Sequence, residues 1–393
     1  MDLTETSENG MFNMTAKPVI MLLPYAGCSG LELFGLRFAR DLLDRGHRAM
    51  VAAPVGSLIA QQCADRGIEL YPFPLTTKYE LVSYPAAYQM LRELEPVAVV
   101  GFRTQMMYPV QLAKLLTGQH VPFFLFYRIG AGSLYRKDPL HRYLFKSLAA
   151  VVPNADYVKN RIIQFWGIES CKVQCIKSGV DTNRYRPDES ARRRIRQELG
   201  LSDDAVIVGS SGRIEQMKGS EDLLRAMFDV GGVARSLENV HLVYIGRETE
   251  KGYIDHLRKL AAAFGCSGRF HILGFRNDVE KVYPAYDVFA FAVNVREAYA
   301  YVVLEAMASG VMPVVPDVGG LGEMFSHAAE GFFFQHCNHE ALKGTLAEAL
   351  ALEPSRRRQM GLLARQRIIE KASWQQMMQT YLDLFKRCRV AGF

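Results

Sequence analysis

The stretch Glu297-Ala-Tyr-Ala-Tyr-Val-Val-Leu-Glu305 holds two acidic residues with seven residues between them. It follows the apolar run Asp287-Val-Phe-Ala-Phe-Ala-Val293 and continues through Ala306-Met-Ala-Ser-Gly310 into a second apolar run, Met312-Pro-Val-Val-Pro316. A strand, a loop, a short helix, a glycine stop and a second strand make a βαβ unit. The segment therefore predicts a parallel strand pair with an acid-bearing loop and helix between its members.

The spacing of the two acids suggests a binding role. If the helix begins near Tyr299, Glu297 lies in the loop before it and Glu305 lies about 9 Å along its axis. Two carboxylates at that spacing can accept hydrogen bonds from two hydroxyl-bearing parts of one long ligand. The free N–H groups of the helix N-terminus between them suit anionic groups. The plainer alternatives are an ordinary helix acid for Glu305 and a carboxylate favoured by the helix dipole for Glu297.

The rest of the chain alternates short apolar runs with amphipathic stretches, which indicates parallel sheets covered by helices on both faces. We therefore predict an α/β protein with two Rossmann-like, doubly wound domains facing a cleft, divided within the polar stretch 184–200. The predicted strands are 19–23, 49–53, 68–71, 97–100, 122–127, 149–152, 205–208, 240–245, 270–273, 288–291 and 314–315. The predicted helices are 32–44, 58–66, 84–93, 109–116, 220–230, 254–264, 278–285, 301–309, 339–351, 355–371 and 374–387. Residues 1–16, which are acidic and polar, are predicted to form a flexible tail.

Three further motifs accompany the acid pair. They are Ser210-Ser-Gly-Arg213-Ile-Glu-Gln-Met-Lys218-Gly219, Ile176-Lys-Ser-Gly179-Val-Asp181-Thr-Asn-Arg-Tyr185-Arg-Pro187 and Asp317-Val-Gly-Gly320-Leu-Gly-Glu323. In this order, the four motifs resemble those of the retaining glycosyltransferases of family 4 (glycosyltransferases group 1), which have the GT-B fold. The resemblance is good over residues 149–335 and poor over the first 150. It implies an acceptor-side domain, 17–186, and a nucleotide-sugar domain, 187–373, with the helical segment 374–393 packed back on the first domain.

Arg213 and Lys218 are candidates for a diphosphate clamp. Arg213 follows strand 205–208 through a loop that ends in Gly212, so it emerges at a carboxyl end, where ligands of doubly wound sheets bind. A planar guanidinium and a compact ammonium can together neutralise the charge of a leaving diphosphate. We therefore expect no metal and no cofactor, with the nucleotide-sugar as donor substrate. The alternative is that both residues are surface cations on a loop.

The resemblance implies that Glu305 accepts hydrogen bonds from the ribose hydroxyls of the donor. We expect Glu297 to contact the transferred sugar or its phosphate. The resemblance implies that it also stabilises the positive charge of the sugar in an oxocarbenium-like transition state. Where relatives usually have a glycine–phenylalanine–glycine run, this chain has Ala298-Tyr-Ala300-Tyr301. The N–H groups of Ala300 and Tyr301 are predicted to bind sugar or phosphate oxygens, although a tyrosine here could also simply pack.

The first domain offers a glycine-rich loop with Gly27 and Gly30, predicted either to admit a phosphate or acceptor oxygen or to be a structural turn. Relatives often carry histidines after their fourth and fifth strands, whereas this chain has Arg103 and Arg128 there. Our hypothesis is that one of the two arginines supplies positive charge to a donor or acceptor phosphate. The alternative is a structural arginine paired with a nearby acid.

Composition limits the remaining choices. The chain has 393 residues, a formal net charge of +6 and seven scattered cysteines, which is typical of a reduced cytoplasmic protein without a disulfide framework. The charge is either scattered over the surface or attracts anionic partners such as nucleotide-sugars or an acidic membrane face. Nucleic acid is not expected as a partner, because no recognition motif accompanies the charge.

These observations favour a retaining glycosyltransferase that moves a sugar from a nucleoside-diphosphate sugar to a hydroxyl of a glycan or lipid-linked acceptor. The expected setting is cell-surface polysaccharide or lipopolysaccharide biosynthesis, in the cytoplasm or at the inner membrane face. Basic and aromatic groups such as Lys78-Tyr79 and Tyr135-Arg136-Lys137 could meet a membrane-bound lipid or form a solvated surface. The alternatives are a non-catalytic glycosyltransferase-like partner subunit and a nucleotide-sugar epimerase on the same fold.

Overall fold

A computed structural model describes residues 16–25, 27, 30–75, 81–128, 138–235 and 237–393. Within these residues, two parallel sheets of six strands each confirm the predicted GT-B architecture. The first sheet contains β1 Val19–Leu22, β2 Ala49–Ala53, β3 Glu69–Pro72, β4 Ala98–Gly101, β5 Phe123–Tyr127 and β6 Ala150–Pro153. The second contains β7 Val206–Ser211, β8 Val240–Ile245, β9 Phe270–Gly274, β10 Val288–Ala290, β11 Met312–Pro316 and β12 Phe332–Phe334.

Helices cover both sheets. Those of the first half are α1 Gly30–Asp44, α2 Leu58–Asp65, α3 Ser83–Leu94, α4 Met107–Thr117, α5 Pro139–Lys146 and α6 Asp156–Trp166. Those of the second half are α7 Glu189–Glu198, α8 Ser220–Phe228, α9 Tyr253–Ala263, α10 Tyr301–Ala308, α11 His339–Ala351, α12 Pro354–Lys371 and α13 Trp374–Arg387.

The two sheets have the same topology. The first has the order β3-β2-β1-β4-β5-β6, and the second has β9-β8-β7-β10-β11-β12. The strand order reverses between β1 and β4, and again between β7 and β10. Ligands of such sheets bind beyond the carboxyl ends of strands at these reversals. The loops that follow β7 and β10 carry Arg213, Lys218 and Glu297, so the topology brings the predicted donor residues to one edge.

The C-terminal helix packs on the first domain. The Phe38 and Tyr381 rings lie 5.1 Å apart edge to face, and the Trp374 indole N–H donates to Asp41 at 3.0 Å. To reach this place, the chain passes residues 178–181: the Val180 N–H donates to Ala372 and the Trp374 N–H donates back to Val180. The two segments that cross between the domains therefore lie side by side.

Four parts of the secondary structure differ from the sequence prediction. The predicted helix 278–285 is wrong, since the segment forms two 3-10 turns, Val279–Lys281 and Tyr283–Ala285. Pro284 explains this, because it lacks an N–H donor and disfavours the helical conformation of the residue before it. The sequence reading also missed α5, α6 and β12. Of the predicted tail, residues 1–15 lie outside the described residues. The basic and aromatic groups predicted at 78–79 and 135–137 lie outside them as well.

Candidate functional site

A turn that requires glycine at position 219 places Lys218 in the site. β7 ends at Ser211, and the 3-10 turn Gln216–Lys218 leads into Gly219 and α8. Gly219 has φ +71°, and a Cβ there would lie 1.7 Å from the Ala292 carbonyl oxygen. Any side chain at this position would therefore push the lysine turn away from the segment that follows β10.

Lys218 meets Glu297 directly. The ammonium donates to the Glu297 carboxylate, and the side chains are 13% and 24% exposed. One residue comes from the β7 loop and the other from the β10 loop, 79 positions later. A nearly enclosed cation and a carboxylate at the same strand edge can bind a phosphate and a sugar hydroxyl of one ligand.

Gly319 and Gly320 pack against the backbone of the loop that carries Glu297. The Gly320 N–H donates to the Glu297 carbonyl at 3.0 Å. A Cβ on Gly319 would lie 2.2 Å from that same carbonyl oxygen, and a Cβ on Gly320 would lie 1.7 Å from the Ala298 oxygen. The Gly-Gly turn therefore fixes the position of Glu297 through backbone packing.

Glu305 lies on α10, facing the segment between the domains. Its carboxylate accepts a hydrogen bond of 2.9 Å from the Tyr283 hydroxyl. Burial raises the pKa of Glu305 to about 7, and this rise is opposed by hydrogen bonds from Tyr283 and Tyr185 and by the charges of Arg184 and Arg37. The carboxyl group is thus held among tyrosine hydroxyl donors and arginine cations.

The N-terminus of α10 lies between the two acids. The helix begins at Tyr301, two residues later than the position considered from the sequence, and Ala300 precedes it in an extended conformation. Among the described residues we find no acceptor for the N–H groups of Ala300 and Tyr301. Tyr299 is only 8% exposed and packs in the core, which is the plainer of the two roles considered for an aromatic residue here.

Arg213 stands apart from this group. Its side chain is 60% exposed and donates to Glu215 at 3.0 Å, and Glu215 also accepts from the Thr249 hydroxyl at 2.7 Å. The preceding Gly212 has φ +143°, and a Cβ there would meet nothing within 4 Å. The structure therefore brings Lys218 and Glu297 into contact but leaves Arg213 at the rim of the same loop.

Arg128 connects the two domains. It stacks on the Phe34 ring, 3.7 Å from its centroid, and donates to the hydroxyl groups of Tyr301 at 2.7 Å, Ser178 at 2.5 Å and Tyr381 at 3.1 Å. These partners lie on α1, α10, the interdomain segment and α13. Among the described residues Arg128 has no acidic partner, so the alternative of a pairing with a nearby acid does not describe it.

The other first-domain candidates are open to solvent. Arg103 is exposed, with its guanidinium 4.5 Å from the centroid of the Tyr25 ring. Gly27 and Gly30 are exposed, and a Cβ on either would meet nothing within 4 Å. Space is therefore available at the amino end of α1, and steric demand does not explain these glycines.

Sequence reasoning missed the role of Glu323. Its carboxylate accepts hydrogen bonds from the N–H groups of Asp156 at 2.9 Å and Tyr157 at 2.6 Å, at the first turn of α6 in the other domain. Lys177 lies 3.1 Å from the same carboxylate. The tyrosines that flank Glu305 were missed as well. Both roles depend on tertiary placement; the one local sign was Glu323 lying three residues after Gly320.

Among the described residues there is no group of three or more histidine, cysteine or acidic side chains placed to hold a metal ion. The expectation that the reaction needs no metal stays a prediction. None of the helices in the same residues combines the length and the apolar character that crossing a bilayer requires.

Two family models match the chain, in the order of its two domains. Residues 28–184 match the Glycosyltransferase Family 4 model, and residues 191–367 match the Glycosyl transferases group 1 model. The chain belongs to the group 1 glycosyltransferases.

This chain is only distantly similar to individual members of the family. The chain is 25% identical over 253 residues to spore coat protein SA of Bacillus subtilis, covering 62% of this chain and 66% of that protein. It is 27% identical over 244 residues to the D-inositol 3-phosphate glycosyltransferase of Rhodococcus erythropolis, covering 61% and 54%. The matches thus span between half and two thirds of the length of these curated relatives. The crystal structure of Anabaena HepE in complex with UDP superimposes with a TM-score of 0.81 at 18% identity, covering 95% of this chain and 100% of that one.

Proposed function

We propose that this protein transfers a sugar from a nucleoside-diphosphate sugar to a hydroxyl group of a glycan or lipid-linked acceptor. The observation that carries the proposal is the contact between Lys218 and Glu297 in the loops before α10, whose first N–H groups have no acceptor among the described residues. Group 1 family membership supports the nucleotide-sugar as donor. UDP-glucose is the first donor to test, because HepE has been crystallised with UDP and with UDP-glucose.

In the proposed complex, Lys218 neutralises charge that develops on the leaving diphosphate. Arg213, which is exposed and tied to Glu215 alone among the described residues, turns from that partner toward the diphosphate. Glu305 accepts hydrogen bonds from the ribose hydroxyls. Fixed charges stabilise a transition state strongly because they need little reorganisation during the reaction.

Glu297 changes partner in this scheme. In the structure its carboxylate is bound by Lys218. When a diphosphate engages Lys218, the Glu297 carboxylate becomes available to the transferred sugar, where it stabilises positive charge at the anomeric carbon. We further propose retention of anomeric configuration, with the leaving phosphate accepting the proton of the incoming hydroxyl.

Release of nucleoside diphosphate tests the proposal. The full chain is incubated with UDP-, GDP- and ADP-sugars without acceptor, and free diphosphate is measured. A glycosyltransferase hydrolyses its own donor slowly, and Lys218→Ala should abolish that release. A non-catalytic partner subunit would bind a donor without releasing diphosphate. An epimerase would change the configuration of the sugar, with no net release of diphosphate.

A further inference from the structure

Within the described residues, the guanidinium of Arg128 has hydrogen-bond donors that are not used. Both N–H groups of its Nη2 atom donate, to the hydroxyls of Ser178 and Tyr301, and one N–H group of Nη1 donates to the Tyr381 hydroxyl. A guanidinium carries five N–H donors. Two of them, on Nε and Nη1, therefore have no acceptor in the described part of the chain, and the side chain is partly exposed.

The charge of Arg128 is not neutralised by an acid. Hydroxyl groups accept hydrogen bonds without carrying a charge, and no described acid forms an ion pair with Arg128. Glu297, on one adjoining segment, is bound to Lys218. Asp181, on another, is bound to Arg37 at 2.9 Å. Because a cation partly withdrawn from water is costly without an accompanying anion, the position of Arg128 suits a negatively charged group of a ligand.

The surrounding residues hold the guanidinium in one orientation. It lies over the Phe34 ring, 3.7 Å from the centroid, and Phe34 is buried. Ser178, which is also buried, accepts a second hydrogen bond, of 3.3 Å, from Asn154. A group that is already ordered loses little conformational freedom when it binds. Arg128 is therefore a preorganised binding group for an anion.

One tyrosine side chain separates Arg128 from the proposed donor site. Tyr301, whose hydroxyl accepts from Arg128, is the first residue of α10, and Glu297 lies four residues before it. In the proposed complex, the charges of Lys218 and Arg213 match the two negative charges of a diphosphate. Arg128 brings a third positive charge from the first domain. That charge is available to an anionic group on the sugar.

On the basis of the proposed function, we propose that the transferred sugar is a uronic acid whose carboxylate is bound by Arg128. A carboxylate accepts strong, charge-assisted hydrogen bonds from a guanidinium. The hydroxymethyl group of a neutral hexose would leave the charge of Arg128 unmatched. The site should therefore discriminate between two donors that differ only in this group.

Calorimetric titration of the full chain with matched donors tests the proposal. The pairs are UDP-glucuronate with UDP-glucose, UDP-galacturonate with UDP-galactose, and GDP-mannuronate with GDP-mannose. In at least one pair, the wild type should bind the uronate about tenfold or more tightly than its neutral partner. Arg128→Gln should abolish that preference. The preference is measured because a merely structural role of Arg128 would weaken the binding of both members alike.

Two variants act as matched controls. Tyr301→Phe removes the hydrogen bond between Arg128 and α10 but keeps the guanidinium, so it should retain the preference even if both affinities fall. Arg103→Gln removes another first-domain cation, which is exposed beside the Tyr25 ring, and should retain the preference too. Thermal unfolding of every variant verifies that it folds.

Three results would overturn the proposal: a wild type that binds no uronate more tightly than its neutral partner, a preference that survives Arg128→Gln, or one that either control variant abolishes as well. Diphosphate release from each donor is measured on the same samples. Release from neutral donors alone would refute the uronic acid and leave the proposed transfer standing. No release from any donor would refute the proposed transfer, while the binding preference would still decide the role of Arg128.

Discussion

The guanidinium of Arg128, at the end of β5 in the first domain, donates a 2.7 Å hydrogen bond to the hydroxyl of Tyr301, the first residue of α10 in the second. Tyr301 lies between Glu297 and Glu305, so the first domain holds the helix that carries one acid and follows the other. The same guanidinium stacks on Phe34. Arg128 therefore couples the arrangement of the domains to the geometry of the site.

Tyr301→Phe should expose the importance of this contact. The change keeps the ring and removes the hydroxyl that accepts from Arg128, and a hydrogen bond to a charged group contributes about 1.5–3 kcal/mol. We expect the free energy of unfolding to fall by about 1.5 kcal/mol or more and diphosphate release to fall about tenfold. Urea unfolding and release assays measure the two effects. Unchanged release in a stably folded Tyr301→Phe protein would mean that the contact has no part in turnover.

Arg128→Ala distinguishes a positioning arginine from a structural one. Loss of the guanidinium removes the donors to Tyr301, Ser178 and Tyr381 together, so we expect lower stability and at least a tenfold loss of turnover, about 1.4 kcal/mol. Arg128→Lys should restore part of the stability but little of the turnover, because an ammonium cannot reproduce the planar fork. If Arg128→Ala leaves diphosphate release intact while Lys218→Ala abolishes it, the role of Arg128 in turnover is refuted.

Glu305 predicts a pH dependence. Its pKa is raised to about 7 by burial, so the folded protein retains a proton that the unfolded chain has lost near pH 4.5. Stability should therefore decrease as pH rises from about 4.5 to 7 and change no further above that, with a total on the order of 3 kcal/mol. Glu305→Gln should remove this slope in urea unfolding measured across pH. Glu348→Gln, on the exposed side of α11, serves as the control and should keep it.

Donor affinity should depend on the same carboxyl group of Glu305, but it should rise with pH whereas stability falls. The ionised carboxylate accepts the ribose hydroxyls better than the protonated form, so affinity should rise between pH 6 and pH 8. Glu305→Gln should bind donor more weakly and without that rise. Calorimetric titration with the best donor at several pH values measures both. A Glu305→Gln protein with the original pH profile would exclude Glu305 as its source.

Glu323→Ala should loosen the junction between the domains. The carboxylate caps the first turn of α6 and binds Lys177, and loss of a helix cap costs about 0.5–2 kcal/mol. We expect that loss in the free energy of unfolding, and Glu348→Ala should change it by less than about 0.5 kcal/mol. Equal stability of the two variants would show that the bridge contributes nothing.

The sequence predicted those parts of the molecule that depend on local pattern. Continuous apolar strands followed by amphipathic helices were sufficient to predict the two sheets. Four ordered motifs were sufficient to predict the family. The helix predicted over 278–285 is wrong because the prediction followed the apolar spacing and gave too little weight to Pro284. Helix α5 had a readable signal, since Asp138 caps it and Pro139 begins it. β12 is three residues long and lies at a sheet edge, which leaves little pattern to detect.

Contacts between distant segments could not be predicted in this way. The partners of Arg128 come from four elements, and Glu323 caps a helix 167 residues away from it in sequence. Nothing near either residue in the sequence indicates those partners. The pairing of Lys218 with Glu297 is intermediate: both were identified as site residues, but their direct contact depends on how Gly219 and Gly320 pack.

The central claim is that Lys218, Glu297 and Glu305 bind one nucleotide-sugar. Thermal unfolding with a panel of UDP-, GDP- and ADP-sugars tests it most directly, using wild type, Lys218→Ala, Glu305→Ala and, as a control, the exposed loop variant Lys251→Ala. We predict that at least one donor stabilises wild type and Lys251→Ala, by about 2.7 kcal/mol at a hundredfold excess over its dissociation constant. The two site variants should lose that stabilisation. No stabilisation of wild type by any donor, or equal stabilisation of all four proteins, would contradict the claim.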